Sequence, residues 1–239
     1  MTMRPGESND GLGRRLIQYA RTYNDPKYFE VDPSIFPRRF VKMLEAGEAC
    51  LQDVEISALI SAHLAWGRRT MIVRDCGRAF DEMSWKPYEY VMNGRWRDDD
   101  SSLHRTVRWS EFAAICERLK RLYEDVDTLE FLTPDEMRTE VFGQKSDRRA
   151  ANKKIHMMRR WMVRRDGIVD FGLWRNIDPA DLIIPLDVHV HDEARDMGIT
   201  SRNSTDFATA LEITEFFRNL FPEDPCLGDF ALFGYGVSK

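Results

Sequence analysis

The sequence has few of the features that mark secreted, metal-binding or membrane proteins. Its four cysteines, at positions 50, 76, 116 and 226, are scattered and form no Cys-x-x-Cys motif, so they indicate neither a disulfide framework nor a zinc site. No apolar run approaches the roughly 20 residues of a membrane-spanning helix, and the N-terminal residues contain no apolar signal region. These absences predict a protein of the reducing cytoplasm with no metal and no membrane partner.

Alternation of apolar and polar residues, which marks a half-buried strand, is also absent over any useful length. Helix 53–66 is the most apolar segment and is predicted to be central, with Asp53 as its cap. The chain is therefore predicted to be all-α over residues 1–239, with enough residues for one large domain or two small lobes and with the lobe boundary near residues 93–102. Apolar residues recur at helical spacing in residues 53–66, 71–83, 109–123, 147–165 and 206–220.

Charge is unevenly distributed along the chain. The net charge is −5, yet residues 145–165 hold nine Lys or Arg against one acid, Asp147, and so carry +8 while the rest of the chain carries −13. Such a concentration is typical of a phosphate-binding surface, although a solvated helix face or a site for an acidic partner has the same composition. An apolar line from Ala151 to Met162 is predicted to pack inward and to leave the basic residues outside or at the edge. The residues of this segment that we assign to nucleic-acid contact are Lys145, Arg148, Arg149, Arg160 and Arg164.

A second informative segment covers residues 182–198, which read Leu-Ile-Ile-Pro-Leu-Asp-Val-His-Val-His-Asp-Glu-Ala-Arg-Asp-Met-Gly. A helical pattern begins after Asp187, which predicts that Asp187 is the N-cap. There its carboxylate can accept backbone N–H bonds and face the positive end of the helix. The same pattern is also expected if Asp187 only caps the helix and has no catalytic role. His189 and His191 follow at alternate positions, a spacing that does not converge on one metal ion, and we assign them to the rim of the site.

The motif Pro-Leu-Asp-Val-His-Val, followed by a short helix and Met-Gly-Ile, resembles the aspartate segment of the helix-hairpin-helix DNA glycosylase superfamily. The chain as a whole resembles an uncharacterised bacterial family that is distantly similar to those enzymes and closest in character to the archaeal 8-oxoguanine DNA glycosylases. The Leu-Pro-Gly-x-Gly hairpin that holds the DNA backbone in most of the superfamily is absent here. The stretches that carry the resemblance are Asp-Pro-Ser-Ile-Phe-Pro-Arg-Arg-Phe (32–40), Leu-Ala-Trp-Gly-Arg-Arg (64–69), Arg-Trp-Met-Val-Arg (160–164), Val-Asp-Phe-Gly-Leu-Trp (169–174) and Asp-Phe-Ala-Leu-Phe-Gly (229–234).

The resemblance implies a two-lobed helical glycosylase fold, a role in base-excision DNA repair, no cofactor, and damaged DNA as the partner of a monomer. In bifunctional glycosylases a lysine attacks the sugar C1′ and forms a Schiff base, while an aspartate favours the cation-like transition state. Carried onto this chain, the aspartate is Asp187, and the family pattern places the lysine at Lys153. A helical wheel instead favours Lys154, which flanks the apolar line, if the helix is regular from residue 148. Both lysines remain candidates, and contact with phosphate or solvent alone is the alternative for each.

Further residues are assigned to contact with the DNA or with a base that is flipped out of the duplex. Arg68 and Arg69, just past the apolar helix, are candidate contacts at the rim of a pocket. A base-flipping enzyme also needs groups that stack on the base. For the candidates His63, Trp66 and Trp161, burial in the core is the competing interpretation. Two other functions fit the sequence, a non-catalytic nucleic-acid-binding relative and an all-α interaction protein with an acidic partner. The pocket candidates are Trp66, His63, His189 and Trp161.

Overall fold

The computed structural model describes residues 9–238, with side chains from residue 11 onward, so most of the N-terminal segment considered above lies outside the described residues. The described chain is mostly α-helical, as predicted. None of its helices combines the length and the apolar character needed to cross a bilayer. The helices are α1 (Asn9–Tyr23), α2 (Ile35–Glu45), α3 (Leu51–Leu64), α4 (Arg69–Glu82), α5 (Pro87–Asn93), α6 (Trp109–Asp125), α7 (Pro134–Glu136), α8 (Lys153–Val163), α9 (Val188–Asp196), α10 (Phe207–Leu220) and α11 (Leu227–Val237).

The chain divides into two compact units. Unit 1 contains the residues up to Tyr28 and those from Asp147 onward, and unit 2 contains Phe29–Ser146. Unit 1 therefore combines α1 with α8 to α11, and unit 2 holds α2 to α7. Short 3-10 helices occur at Pro26–Phe29 and Pro179–Asp181, and a π-helical turn, Met137–Val141, follows α7.

The polar loop near residues 93–102, which we expected at a lobe boundary, lies inside unit 2. Its Trp96 is tied to α5, because the indole Nε1 donates to the Tyr90 carbonyl at 3.1 Å. The loop leads into a two-stranded antiparallel sheet that the sequence pattern did not predict, formed by β1 (Ser102–His104) and β2 (Val107–Arg108). Strands this short contain too few residues for an alternating pattern to be recognised.

Unit 2 is built around α3, in agreement with the predicted central helix. Most of α3 is buried, and it packs against α2, α4 and α5. The predicted cap is wrong by three residues: Cys50 is the N-cap, and Asp53 accepts a hydrogen bond from the Cys50 N–H at 2.9 Å in a capping-box arrangement. The buried Glu55 carboxylate accepts bonds from the Tyr123 hydroxyl at 2.9 Å and from the Leu129 amide, which offset the cost of burying it.

Unit 1 is built around α11, which packs against α1, α9 and α10. Two glycines of α11 allow it to approach α10 and α1 closely. A Cβ at Gly228 would overlap the Phe217 ring of α10, and a Cβ at Gly234 would overlap the Tyr23 ring of α1. The Tyr23 ring also meets Phe233 edge to face, with the ring centroids 5.7 Å apart. Because α9 packs on the same helix, α11 fixes the position of the Asp187 segment.

His156 of α8 is buried within unit 1 and stacks on Phe207, with the ring centroids 6.3 Å apart. Burial lowers the pKa of His156 to about 4, whereas a histidine in an unfolded chain titrates near 6.5. The unfolded chain therefore takes up a proton first as the pH falls. We expect the contribution of His156 to the free energy of unfolding to fall by on the order of 3 kcal/mol between about pH 6.5 and about pH 4.

Urea denaturation of the wild type and of His156→Phe, at about pH 7 and about pH 5, tests this expectation. The phenyl ring keeps the contact with Phe207 and cannot be protonated. The wild type should lose more stability than the variant on acidification, and equal losses in the two proteins would contradict the assignment. Other titrating groups act equally in both proteins and cancel in the difference.

Candidate active site

The basic segment of the sequence becomes helical later than predicted, because α8 begins at Lys153. Before it, Ala150 forms an isolated antiparallel bridge with Asp206, and Asn152 adopts a left-handed conformation with φ of 46°. Lys153 is therefore the first helical residue of α8.

Asp187 is the N-cap of α9, as predicted. Its Oδ1 accepts a hydrogen bond from the Val190 amide at 3.0 Å, while its Oδ2 lies 3.3 Å from Lys153 Nζ. The two side chains are 30% and 31% exposed, so solvent or a ligand can reach both. The carboxylate thus uses one oxygen to hold the start of α9 and the other to hold the amine at the start of α8. Of the two candidate lysines, both partly buried, Lys153 forms this ion pair with Asp187.

Two buried arginines, Arg160 of α8 and Arg164 at its C-cap, bind four aspartates. Arg160 bonds Asp229 and lies 3.3 Å from Asp170. Arg164 also bonds Asp170, and it reaches Asp166 and Asp224 at 2.9 Å each. Such a network requires every charge to be paired, because an isolated charge in the interior is strongly unfavourable. We call it the arginine–aspartate network and define it by Arg160, Arg164, Asp166, Asp170, Asp224 and Asp229.

The expectation that the basic residues of this segment lie outside or at its edge is wrong for Arg160 and Arg164, which are 6% and 1% exposed. Their guanidinium groups face carboxylates and are not presented to a phosphate. Their partners Asp170, Asp224 and Asp229 come from the loop after α8, from the connection between α10 and α11, and from the first turn of α11, respectively. A pattern within one helix contains no information on such long-range partners, which is why the sequence suggested a surface.

Within the network the pKa of one carboxyl group is raised and that of another is lowered. Burial raises the pKa of Asp229, Arg160 opposes this effect, and the negative charge of Asp187 adds to it. Burial also acts to raise the pKa of Asp166, but Arg164 and the other bonds to its carboxylate outweigh burial, so the pKa is lowered. The pKa values of Asp229 and Asp166 therefore shift in opposite directions within one network.

The remaining predicted contacts fall into exposed and buried groups. His189 is exposed and Trp66 is 37% exposed, so both can meet a ligand. Trp161 is 2% exposed and belongs to the core, which was the competing interpretation for this residue. His63 is partly buried, with its ring 5.1 Å from that of Phe142. The exposed basic residues are Arg68, Arg69 and Lys145 of unit 2 and Arg148 and Arg149 of unit 1.

Trp66 is held at the surface by contacts that the sequence did not reveal. Its carbonyl lies 2.9 Å from His104 Nε2, and His104 Nδ1 lies 2.8 Å from the buried Asp75 carboxylate. The Arg105 guanidinium stacks over the indole at 4.6 Å, a favourable cation–π arrangement. Gly67 follows with φ of +99°, a conformation that other residues rarely adopt. The indole is therefore fixed at the surface, where it can serve as a stacking group.

Unit 2 also contains a shallow, open cavity of about 460 Å³ along α2. Arg38, Arg39, Lys42 and Glu48 line it, and the Arg39 guanidinium stacks over Trp85 at 3.7 Å. This lining suits an anionic group such as a phosphate. Within residues 9–238, no group of three or more His, Cys, Asp or Glu side chains is arranged to hold a metal ion.

The fold and the site define an all-α protein with a lysine–aspartate pair where two helices begin. The chain belongs to a family described as "Protein of unknown function (DUF2400)", whose model matches residues 32–141 and 131–238. The second match contains the pair and the whole arginine–aspartate network. Membership of an uncharacterised family agrees with the resemblance stated above, while the relation to DNA glycosylases stays a prediction. No curated protein and no solved structure matches the chain.

Proposed function

We propose that this protein is a DNA glycosylase-like enzyme that excises an oxidised or otherwise damaged base, with Lys153 as the nucleophile and Asp187 as its carboxylate partner. The observation that supports the proposal is the 3.3 Å contact between Lys153 Nζ and Asp187 Oδ2. An amine and a carboxylate at this distance, both partly exposed, are the two groups that bifunctional glycosylase chemistry requires.

The proposed reaction begins with transfer of a proton from the Lys153 ammonium to Asp187. The neutral amine then attacks the sugar C1′, so that an N–C1′ bond forms and the bond from C1′ to the base breaks. The departing base takes the bonding electrons and the proton that Asp187 received, so Asp187 is ionised again. The carboxylate then stabilises the positive charge on the sugar. Opening of the sugar ring, with a proton taken up by its ring oxygen, leaves a protonated Schiff base between C1′ and Lys153.

The proposed partner is DNA, bound by a monomer. The exposed arginines Arg148 and Arg149 are close in sequence to the catalytic lysine and are the proposed phosphate contacts of unit 1. In unit 2 the same role is proposed for Arg68 and Arg69, next to Trp66, whose exposed indole can stack on an unpaired base. The setting we propose is the cytoplasm, which is supported by four cysteines that are all free thiols. No cofactor enters the proposed chemistry.

Borohydride trapping tests the proposal. The protein is mixed with oligonucleotides that contain 8-oxoguanine, uracil or an abasic site, and borohydride is added to reduce any Schiff base to a stable amine. We expect a covalent protein–DNA adduct on at least one substrate. If no substrate gives an adduct or releases a base while DNA binding weakens with salt, the protein is a non-catalytic nucleic-acid-binding relative. If DNA does not bind at all, the all-α interaction protein becomes the better description.

A further inference from the structure

One side of α2 forms a basic strip at the surface of unit 2. We define the basic strip by the residues of α2 that line the open cavity of about 460 Å³, which are Ile35, Arg38, Arg39, Lys42 and Met43. Their spacings of three and four residues place them on the same side of the helix, over about 12 Å of its axis. The side of α2 that faces the core carries the buried Phe36 and Phe40. The cations are therefore arranged in a line along the helix and not around one point.

Aromatic rings hold the Arg39 guanidinium in place. It lies over Trp85 at 3.7 Å, and the Trp85 ring stacks on Phe40 and Phe80 with centroid distances of 6.1 Å and 5.6 Å. The indole Nε1 donates a hydrogen bond to Asp81 Oδ1 at 3.0 Å, which fixes the ring further. Stacking uses the flat face of a guanidinium and leaves the N–H groups at its edge to donate to an anion. Arg39 is therefore preorganised for two parallel hydrogen bonds to a phosphate.

Carboxylates balance the charge of the basic strip only in part. The cavity is lined by one acid, Glu48, against three cations, which leaves a charge of +2. Among the residues that the structure describes, neither Arg39 nor Lys42 forms an ion pair with a carboxylate. Arg160 and Arg164 of unit 1 differ in this respect, since aspartates bond both of them. The basic strip thus keeps a positive potential that attracts an anion.

We infer that the basic strip is a binding site for the phosphate groups of a nucleic-acid strand, separate from the contacts proposed at Arg68 and Arg69. A small ligand is normally enclosed and has most of its surface buried, whereas this cavity is shallow and open. A strand needs no such enclosure, because contacts along its length hold it, and a line of cations suits a linear polyanion. The inference rests on the proposed function for the identity of the partner and adds a second binding element in unit 2.

The test measures the affinity of the whole chain for a fluorescent oligonucleotide, single-stranded and duplex, by anisotropy at several salt concentrations. Each phosphate contact contributes about 0.7 to 0.9 to the slope of log K against log salt. Lys42→Gln should remove one contact, so we expect the slope to decrease by about that amount and the Kd to rise about threefold to tenfold near 0.1 M salt. Arg39→Lys retains the charge but loses the planar fork, so it should weaken binding with little change in slope.

The matched control is Lys86→Gln. Lys86 is an exposed lysine of the same unit that already pairs with Glu89 at 3.0 Å, so its replacement changes the net charge equally and should leave the slope at the wild-type value. Glu48→Gln removes the acid of the cavity and should lower the Kd by roughly twofold to threefold. This variant provides a test of opposite sign should Lys42→Gln fail to fold by circular dichroism.

A wild-type slope in Lys42→Gln, or equal changes in Lys42→Gln and Lys86→Gln, would overturn the inference, while a trapped adduct with the wild-type protein would leave the proposed function intact. The expected changes without any trapped adduct would retain the site and overturn the proposed chemistry. Saturable binding of a deoxynucleoside monophosphate that Lys42→Gln abolishes, with the slope for DNA unchanged, would assign the site to a small phosphate ester and overturn the inference. Absence of DNA binding would contradict both.

Discussion

Replacing Lys153 with glutamine is expected to eliminate the borohydride-trapped adduct, whereas Lys154→Gln is expected to retain it. The Schiff base needs a primary amine within reach of C1′, and Lys153 Nζ is the amine that lies 3.3 Å from Asp187 Oδ2. Glutamine has no nucleophilic amine, so the rate of base release through a covalent intermediate should fall by at least on the order of 10³-fold. Adduct yield and single-turnover base release on the same oligonucleotide are the measurements.

Two controls separate chemistry from folding and binding. Asp187→Asn should retain the start of α9, because asparagine caps helices as well as aspartate does, yet it should slow the reaction by roughly 10²-fold to 10³-fold through loss of the charge. Arg148→Ala should weaken DNA binding and reduce its salt dependence without removing the nucleophile. An adduct that persists in Lys153→Gln and disappears in Lys154→Gln would assign the nucleophile to Lys154 and contradict the geometric argument.

The parts of the fold that the sequence predicts are those that depend on local pattern. The apolar stretch that became α3 is too continuous for an exposed helix, and Asp187 precedes a helical pattern directly, so the buried helix and the cap follow from neighbouring residues. The choice between Lys153 and Lys154 depended on where α8 begins. The helical wheel assumed a regular helix from residue 148. In the structure Asn152 has a left-handed conformation, and α8 begins after it, at Lys153.

The parts that the sequence does not predict depend on contacts between distant segments. Arg160 and Arg164 belong to a basic run that is typical of a phosphate-binding surface, and they are buried because aspartates from elsewhere in unit 1 meet them. His104 likewise supports Trp66 through one ring nitrogen and binds Asp75 through the other. A basic run thus has two physical outcomes, exposure to solvent or burial with carboxylates, and composition alone does not decide between them.

Replacing Asp170 with asparagine is expected to lower the free energy of unfolding by about 1–3 kcal/mol, because an amide N–H donor would then face one of the two guanidinium groups that the carboxylate bonds. The Asp170 side chain is fully buried and bonds both Arg160 and Arg164. Asparagine has nearly the same shape, so the loss would come from the lost carboxylate bond and not from a cavity. Urea denaturation followed by far-ultraviolet circular dichroism measures the change, and the thermal midpoint should fall by roughly 2–12 °C.

The matched control is Asp25→Asn, which removes an exposed carboxylate paired with Lys27 in the same unit. An exposed pair is screened by water and contributes little, so this variant should unfold at the wild-type urea concentration. If Asp170→Asn also unfolded at the wild-type urea concentration, water would have to reach the arginines, and the assignment of a buried arginine–aspartate network would be wrong. A loss of stability in Asp170→Asn alone would instead mean that the network holds α8 in place, which is the rigidity that the proposed nucleophile at its first residue requires.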